Sequence, residues 1–302
     1  MISGDKKLEF TTIDEAKKYV HDTYDNILVE DVHPDGEYCY IFFSSNGICD
    51  EEPLTKYTEA LLDQGKYEWT SIAKAVKKHK STGSCIYVRD SYKHFYIHGV
   101  SADCNNIDKT VERLGELVSD KAWKIVTIGI SSGGYMSVIC GIKLRAFKIF
   151  NISGQYDLSI HIPEVFEEFV EINPSYGSTV DLIRWYDALN DPGKSDIYYF
   201  CPIGCGHDKE QYEKVKDISC IKTFLFPDKI HASTIYPFNF PDLLMISRSK
   251  LDRLYGLYEG KLIDKKGFLL RTMSLSGWAE FIKRACKSHL NIGNMKRVWD
   301  VK

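Results

Sequence analysis

The sequence predicts an α/β fold: a mainly parallel sheet with helices on both faces. Three observations point to it. Strand-like pieces alternate with helix-like ones, the order expected of a parallel sheet covered by its crossover helices. The 302 residues are 44% hydrophobic and 27% charged, enough for a large core that needs neither metal nor disulfide. No internal repeat or low-complexity segment interrupts the pattern.

The elements follow in order. Residues 27–32 (ILVEDV) and 38–45 (YCYIFFSS) read as strands, and 67–80 as a helix. Residues 84–90 (SCIYVRD) form the next strand. Ile107, Val111, Leu114, Leu117 and Val118 then recur at helical spacing within 106–120. Residues 124–130 (KIVTIGI) read as a buried strand, and a helix opens after Ser131. Further strands are expected at 147–153, 196–204 and 220–227. Residues 155–195 are helical in pattern and broken by prolines, which predicts a small helical lid inserted between two strands. Residues 237–302 form a C-terminal segment of mixed helix and turn, with an amphipathic helix over 277–290. The whole of 1–302 is read as one domain.

Composition excludes several functions. The net charge is −3 with both signs interspersed, unlike the basic stripe of a nucleic-acid binder. The densest basic run, AKAVKKHK at 73–80, suits the solvated C-terminal end of a helix. No run of 18 apolar residues is present, so no membrane span is expected. The first residues lack the apolar core of a secretory signal. Nine cysteines are scattered without repeated spacing, as buried free thiols in a reducing compartment would be. The expectation is a cytoplasmic protein.

The motif that carries chemistry is Gly129-Ile130-Ser131-Ser132-Gly133, placed where a strand runs straight into a helix. A serine there must take a strained backbone conformation for its hydroxyl to project above the strand ends, and its neighbours must be small. The helix N-terminus also directs N–H groups and its positive dipole end at the site, which favours a developing oxyanion. The alternative is a chance Gly-x-Ser-x-Gly in a tight turn; the flanking strand and helix argue against it.

A serine hydroxyl needs a histidine base, oriented by a carboxylate. Asp208 follows the strand at 196–204, and His231 follows the strand at 220–227. Asp196, Asp217 and Asp228 are weaker acids by position, and His207 is the rival base. Of the two oxyanion donors, one is the amide of Ser132. The other belongs to the turn Ser44, Ser45, Asn46, of which Ser45 is chosen.

Two further stretches were weighed. Cys201, Cys205 and His207 (CPIGCGH) have no second cysteine pair after them, so no metal is assigned. The loop VRDSYKHFYIHG carries Arg89, Asp90, Tyr92, His94, Tyr96 and His98 just after a strand. Arg89, Asp90 and Tyr92 are candidates to hold a sugar or an anionic group, against a structural Arg–Asp pair. Tyr135 on the elbow helix and Gln155 after the following strand are further substrate-binding candidates, with packing as the alternative for Tyr135.

The stretches IGISSGGYMS, NISGQYDL, GCGHD and KIHAS together resemble the α/β-hydrolase superfamily, over roughly residues 37–235. They are more similar to the bacterial branch found with capsule and surface-polysaccharide assembly than to lipases. The HGGG-type oxyanion motif of many esterases is absent. The resemblance implies an esterase or O-acetyltransferase acting on a carbohydrate or polysaccharide. It needs no bound cofactor, with acetyl-CoA as an acyl donor. The partners implied are small-molecule or glycan substrates, with oligomerisation left open. A thioesterase, a peptidase and a non-catalytic scaffold in polysaccharide assembly are the competing readings.

Overall fold

The computed structural model describes residues 9–49, 51–160, 166–177, 180–185, 195–236 and 238–289. Seven strands form one sheet: β1 (Ile27–Asp31), β2 (Tyr38–Phe43), β3 (Thr82–Val88), β4 (Lys124–Ile130), β5 (Lys148–Ile152), β6 (Ile197–Pro202) and β7 (Ile221–Phe226). Their order is β1-β3-β2-β4-β5-β6-β7. β1 pairs antiparallel with β3 at one edge, and every other pairing is parallel. This strand order, with the strand–turn–helix described below, is the α/β-hydrolase fold.

Alternation of side chains along the strands builds two cores, one on each face. On the first face Ile41, Phe43, Ile86, Val88, Ile149 and Tyr199 meet α4 (Ile107–Ser119) and α5 (Ser132–Lys143). On the second, Tyr40, Phe42, Tyr87, Phe150, Phe200 and Phe224 meet α3 (Thr70–Val76) and the C-terminal helices. The latter are α9 (Phe240–Met245), α10 (Arg248–Tyr258) and α11 (Lys265–Thr272), followed by α12 (Leu275–His289). Each starts for a local reason. Asn106 caps α4 by accepting the Lys109 amide, and Asp264 caps α11 by accepting the amides of Lys266 and Gly267. A third, smaller cluster lies under α1 (Ile13–Thr23) and α2 (Leu54–Thr58), where Ala16, Val20, Tyr57 and Leu61 are buried. The sequence reading has no helix at α1 or α2.

Residues 161–165, 178–179 and 186–194 of the expected lid lie outside the described residues, as do 290–302 of the C-terminal segment. The described part of the insertion contains α6 (Phe166–Ile172) and α7 (Leu182–Trp185). It is fastened to the body: Phe169, Tyr176, Val180 and Leu182 join the first core. Asn173 Nδ2 donates to the Ile97 carbonyl (2.9 Å) and its Oδ1 accepts the Ile107 amide (2.9 Å). After β6 comes α8 (Gly206–Val215). Its Gln211 accepts the Tyr156 and Asp157 amides at 2.7 and 2.9 Å, anchoring the start of the insertion. No helix among the described residues is long and apolar enough to cross a membrane, and Cys39, Cys49, Cys85, Cys104, Cys140, Cys201, Cys205 and Cys220 form no disulfide.

Candidate active site

The strand order reverses at β2, which has β3 on one side and β4 on the other. In open α/β sheets ligands bind outside the carboxyl ends of the strands at such a reversal. Ser45 follows β2, Ser131 follows β4, Asp208 follows β6 and His231 follows β7. These strands run parallel, so all four residues lie at the same edge of the sheet.

Ser131 has φ 55° and ψ −122°, a conformation that a residue with a side chain avoids. Its surroundings fix it there. Its amide donates to the Ile152 carbonyl (3.0 Å), and its own carbonyl accepts the Tyr135 amide (3.2 Å), which begins α5. The small neighbours are required by contact. A Cβ on Gly129 would stand 1.9 Å from the Gly133 carbonyl oxygen, and one on Gly133 would stand 2.4 Å from that of Phe43. The serine therefore sits where β4, α5 and the end of β2 converge. The Ser132 amide belongs to the first turn of α5, whose N–H groups have no partner within the helix.

Asp208 lies in the first turn of α8 and is 2% exposed. His231 Nδ1 stands 2.9 Å from Asp208 Oδ2 and 3.1 Å from Oδ1. The histidine loop is tied back to the sheet, because the Ala232 amide donates to Ser153 Oγ (3.2 Å) just after β5. The loops after β6 and β7 also run close together: a Cβ on Gly204 would meet the Asp228 carbonyl oxygen at 2.5 Å. The rival acids are placed otherwise. Asp196 precedes β6 and pairs with Lys222 (2.9 Å) and Arg248. Asp228 pairs with Lys265 at 2.5 Å. Asp217 and His207 are exposed.

The turn after β2 corrects the choice of second oxyanion donor. The Ser44 amide donates to the Val88 carbonyl (2.9 Å). The Ser45 amide donates to Glu68 Oε2 (2.5 Å), and Ser45 Oγ to Glu68 Oε1 (3.2 Å). A carboxylate oxygen thus already occupies the donor that the sequence reading selected. The Asn46 amide is the one of the three that finds no acceptor among the described residues. Burial pushes the Glu68 carboxyl up, against the pull of the Ser45 amide and hydroxyl. Nothing in the sequence marks Glu68, which stands 23 residues beyond the serine it holds.

Three of the substrate-binding candidates, Arg89, Asp90 and Tyr135, are engaged within the fold. Arg89 is 2% exposed. Its guanidinium donates to Asn26 Oδ1 (2.7 Å) and to the carbonyls of Leu61 and Lys66 (both 3.1 Å), and it packs over the Tyr67 ring. Nε and Nη1 are thus committed to partners inside the protein, and the side chain is held away from solvent. Asp90, also buried, accepts four amides of its own loop: Tyr92 and Lys93 at 3.1 Å, His94 and Tyr96 at 2.8 Å. Tyr135 is fully buried in the first core, its hydroxyl 3.5 Å from the Val180 carbonyl, so packing is its place. Tyr92 is half-buried between the His21 and His98 rings. Gln155 keeps a polar atom in hand: its Oε1 is buried with no partner among the described residues.

No protein-family model matches the chain, and no curated protein matches it either. Among solved structures it is similar to the capsule O-acetyltransferase of Neisseria meningitidis serogroup A, with 16% identity and a TM-score of 0.45 over 66% of this chain and 81% of that one. It is also similar to FphF, a fluorophosphonate-binding serine hydrolase of Staphylococcus aureus, with 13% identity and a TM-score of 0.42 over 63% and 76%. An esterase/lipase from an uncultured bacterium aligns at 11% identity and a TM-score of 0.37 over 74% and 82%. The strand order and the turn at Ser131 identify the fold independently of these likenesses.

Proposed function

We propose that the protein is a serine esterase or O-acetyltransferase that works through an acyl-enzyme on Ser131 and takes a carbohydrate hydroxyl as acyl acceptor or product. The observation that carries this reading is the His231–Asp208 contact of 2.9 Å, at the sheet edge where Ser131 is held in its strained turn. With Nδ1 engaged by Asp208, the imidazole presents Nε2 to a nucleophile.

The reaction would run as follows. Ser131 Oγ attacks the acyl carbonyl carbon and its proton passes to His231 Nε2. The carbonyl π electrons move onto oxygen, and the oxyanion takes the Ser132 and Asn46 amides as donors. Collapse expels the alcohol or thiol, which receives the proton from His231. Water or a sugar hydroxyl then attacks the acyl-Ser131 ester, giving its proton to His231. Ser131 leaves with that proton, and the free enzyme is restored. Asp208 holds the imidazole in the productive tautomer throughout. Acetyl-CoA supplies a thioester donor for this chemistry; no prosthetic group enters it. Gln155 Oε1, buried without a partner among the described residues, suits acceptance of a hydrogen bond from a substrate hydroxyl.

The test is intact-mass spectrometry of wild type and Ser131→Ala after incubation with acetyl-CoA or p-nitrophenyl acetate, with and without free sugars. A serine-dependent gain of one acetyl group, discharged faster when a sugar is present, supports the transferase. Discharge to water alone supports the esterase. No adduct with either donor and no labelling by a fluorophosphonate, in folded protein, overturns the proposal.

A further inference from the structure

The loop after β3 holds a constellation that acyl chemistry does not use. Asp90 gathers the amides of Tyr92, Lys93, His94 and Tyr96, and Lys93, Phe95 and Tyr96 all have positive φ. This tight coil sets His94 and His98 side by side, their rings 19° from parallel with centroids 5.5 Å apart. Glu168 comes to the pair from α6, seventy positions further along the chain. His94 Nδ1 and His98 Nε2 are 3.3 Å apart. Glu168 Oε1 stands 3.2 Å from His98 Nε2, and Glu168 Oε2 stands 3.5 Å from His94 Nδ1.

Three ligand atoms bound at about 2.0–2.1 Å in a tetrahedral shell stand roughly 3.3–3.4 Å from one another. The observed separations of 3.2–3.5 Å are close to that, with each imidazole facing a different oxygen of Glu168, and one ligand atom from each of the three residues lies within 4.8 Å of the other two. As a pure hydrogen-bond cluster it is poorly arranged. If both facing ring nitrogens carry protons for Glu168, the two N–H groups oppose each other across 3.3 Å. If one does not, the carboxylate loses a donor. A cation at the centre removes that conflict. We propose that His94, His98 and Glu168 bind a divalent transition-metal ion, with zinc the best match to two imidazoles and one carboxylate. Magnesium and calcium favour all-oxygen shells and fit this donor set badly.

The side chains of His94, His98 and Glu168 are 33%, 17% and 43% exposed. The fourth position therefore opens to solvent and takes a water. The ring of His98 is steadied from behind by the Tyr92 ring, 4.4 Å between centroids. The His98 carbonyl is held by His21 Nε2 at 3.0 Å. Such outer contacts orient metal-binding imidazoles. The ion would cross-link α6, inside the insertion, to the loop after β3, and so fasten the insertion to the body. None of this depends on Ser131 chemistry.

The test uses the full chain, stripped with chelator and then titrated with Co²⁺, with Zn²⁺ added in competition. Visible absorption and thermal unfolding are read for wild type, Glu168→Gln and the double variant His94→Gln/His98→Gln. The expected result is one equivalent of Co²⁺ with nitrogen–oxygen ligand bands, displaced by Zn²⁺, and a rise in Tm. Glu168→Gln should weaken binding by at least about tenfold, and the double variant should lose the equivalent altogether. Absence of stoichiometric binding by wild type overturns the proposal. So does a cobalt–thiolate band, which would place the ion on cysteine, and so does equal binding by wild type and the double variant.

Discussion

Asn46 shows how single residues decide the proposed chemistry. Its amide has no acceptor among the described residues, and it sits at the first position of the short 3-10 turn Asn46–Ile48. Ser45, just before it, is extended at φ −85° and ψ 171°, the conformation that a residue before proline prefers. Proline therefore fits at position 46 while removing the N–H. Asn46→Pro should fold normally and lose about 10²–10³ in kcat on p-nitrophenyl acetate, whereas Asn46→Ala should keep most of the rate. Equal rates for the proline variant and wild type would return the oxyanion role to another amide. At Asp208 the conservative change Asp208→Asn should cost up to about 10⁴ in kcat, with the protein still folded by circular dichroism. The strand-end positions of Ser131, Asp208 and His231 were legible because each follows its own strand at a predictable place. The engagement of Ser45 by Glu68 was not legible, since it depends on how the 46–68 segment folds back. Arg89 misled for a similar reason: its partners Asn26, Leu61 and Lys66 are distant in sequence.

At the scale of elements, the elbow is a steric device as much as an electrostatic one. Gly133 brings the first turn of α5 against the last carbonyls of β2, and a Cβ there would lie 2.4 Å from Phe43 O and 2.7 Å from Ser44 O. Backbone atoms on both sides leave no flexible group to yield. Gly133→Ala should therefore destabilise the protein by at least about 1–3 kcal/mol in urea unfolding. Gly206, in the first turn of α8, has nothing within 4 Å of the added Cβ, and Gly206→Ala should be neutral or slightly stabilising. A similar loss from both would show that chain entropy, not contact, governs the elbow. The strands and α4 were readable because their apolar spacing is local. The metal-type triangle was half readable: His94 and His98 stand in one singled-out loop, but only folding brings Glu168 to them.

Across the whole molecule, the C-terminal helices close the second face of the sheet, and their attachment includes a buried lysine. Lys148 begins β5 with its side chain on the face of Phe150 and is 2% exposed. Its Nζ donates to the carbonyls of Leu244 (2.6 Å) and Ile246 (2.9 Å), at the end of α9. In the sequence it is one residue of the strand expected at 147–153, and the helix that covers it lies almost a hundred residues later. Burial pushes its pKa down to about 7, against about 10.4 in the unfolded chain. Between those values the unfolded state binds a proton that the folded state does not. Stability contributed at Lys148 is thus lowest below pH 7 and grows as the pH rises towards 10, by up to about 1.4 kcal/mol per pH unit. Lys148→Met removes this dependence and leaves every other titrating group in place. Urea unfolding of both proteins at pH 7 and pH 9 should show the stability of wild type relative to Lys148→Met increasing with pH. A difference that stays constant would mean that Lys148 is an ammonium in the folded protein. In that case the two carbonyls at the end of α9 would outweigh its burial.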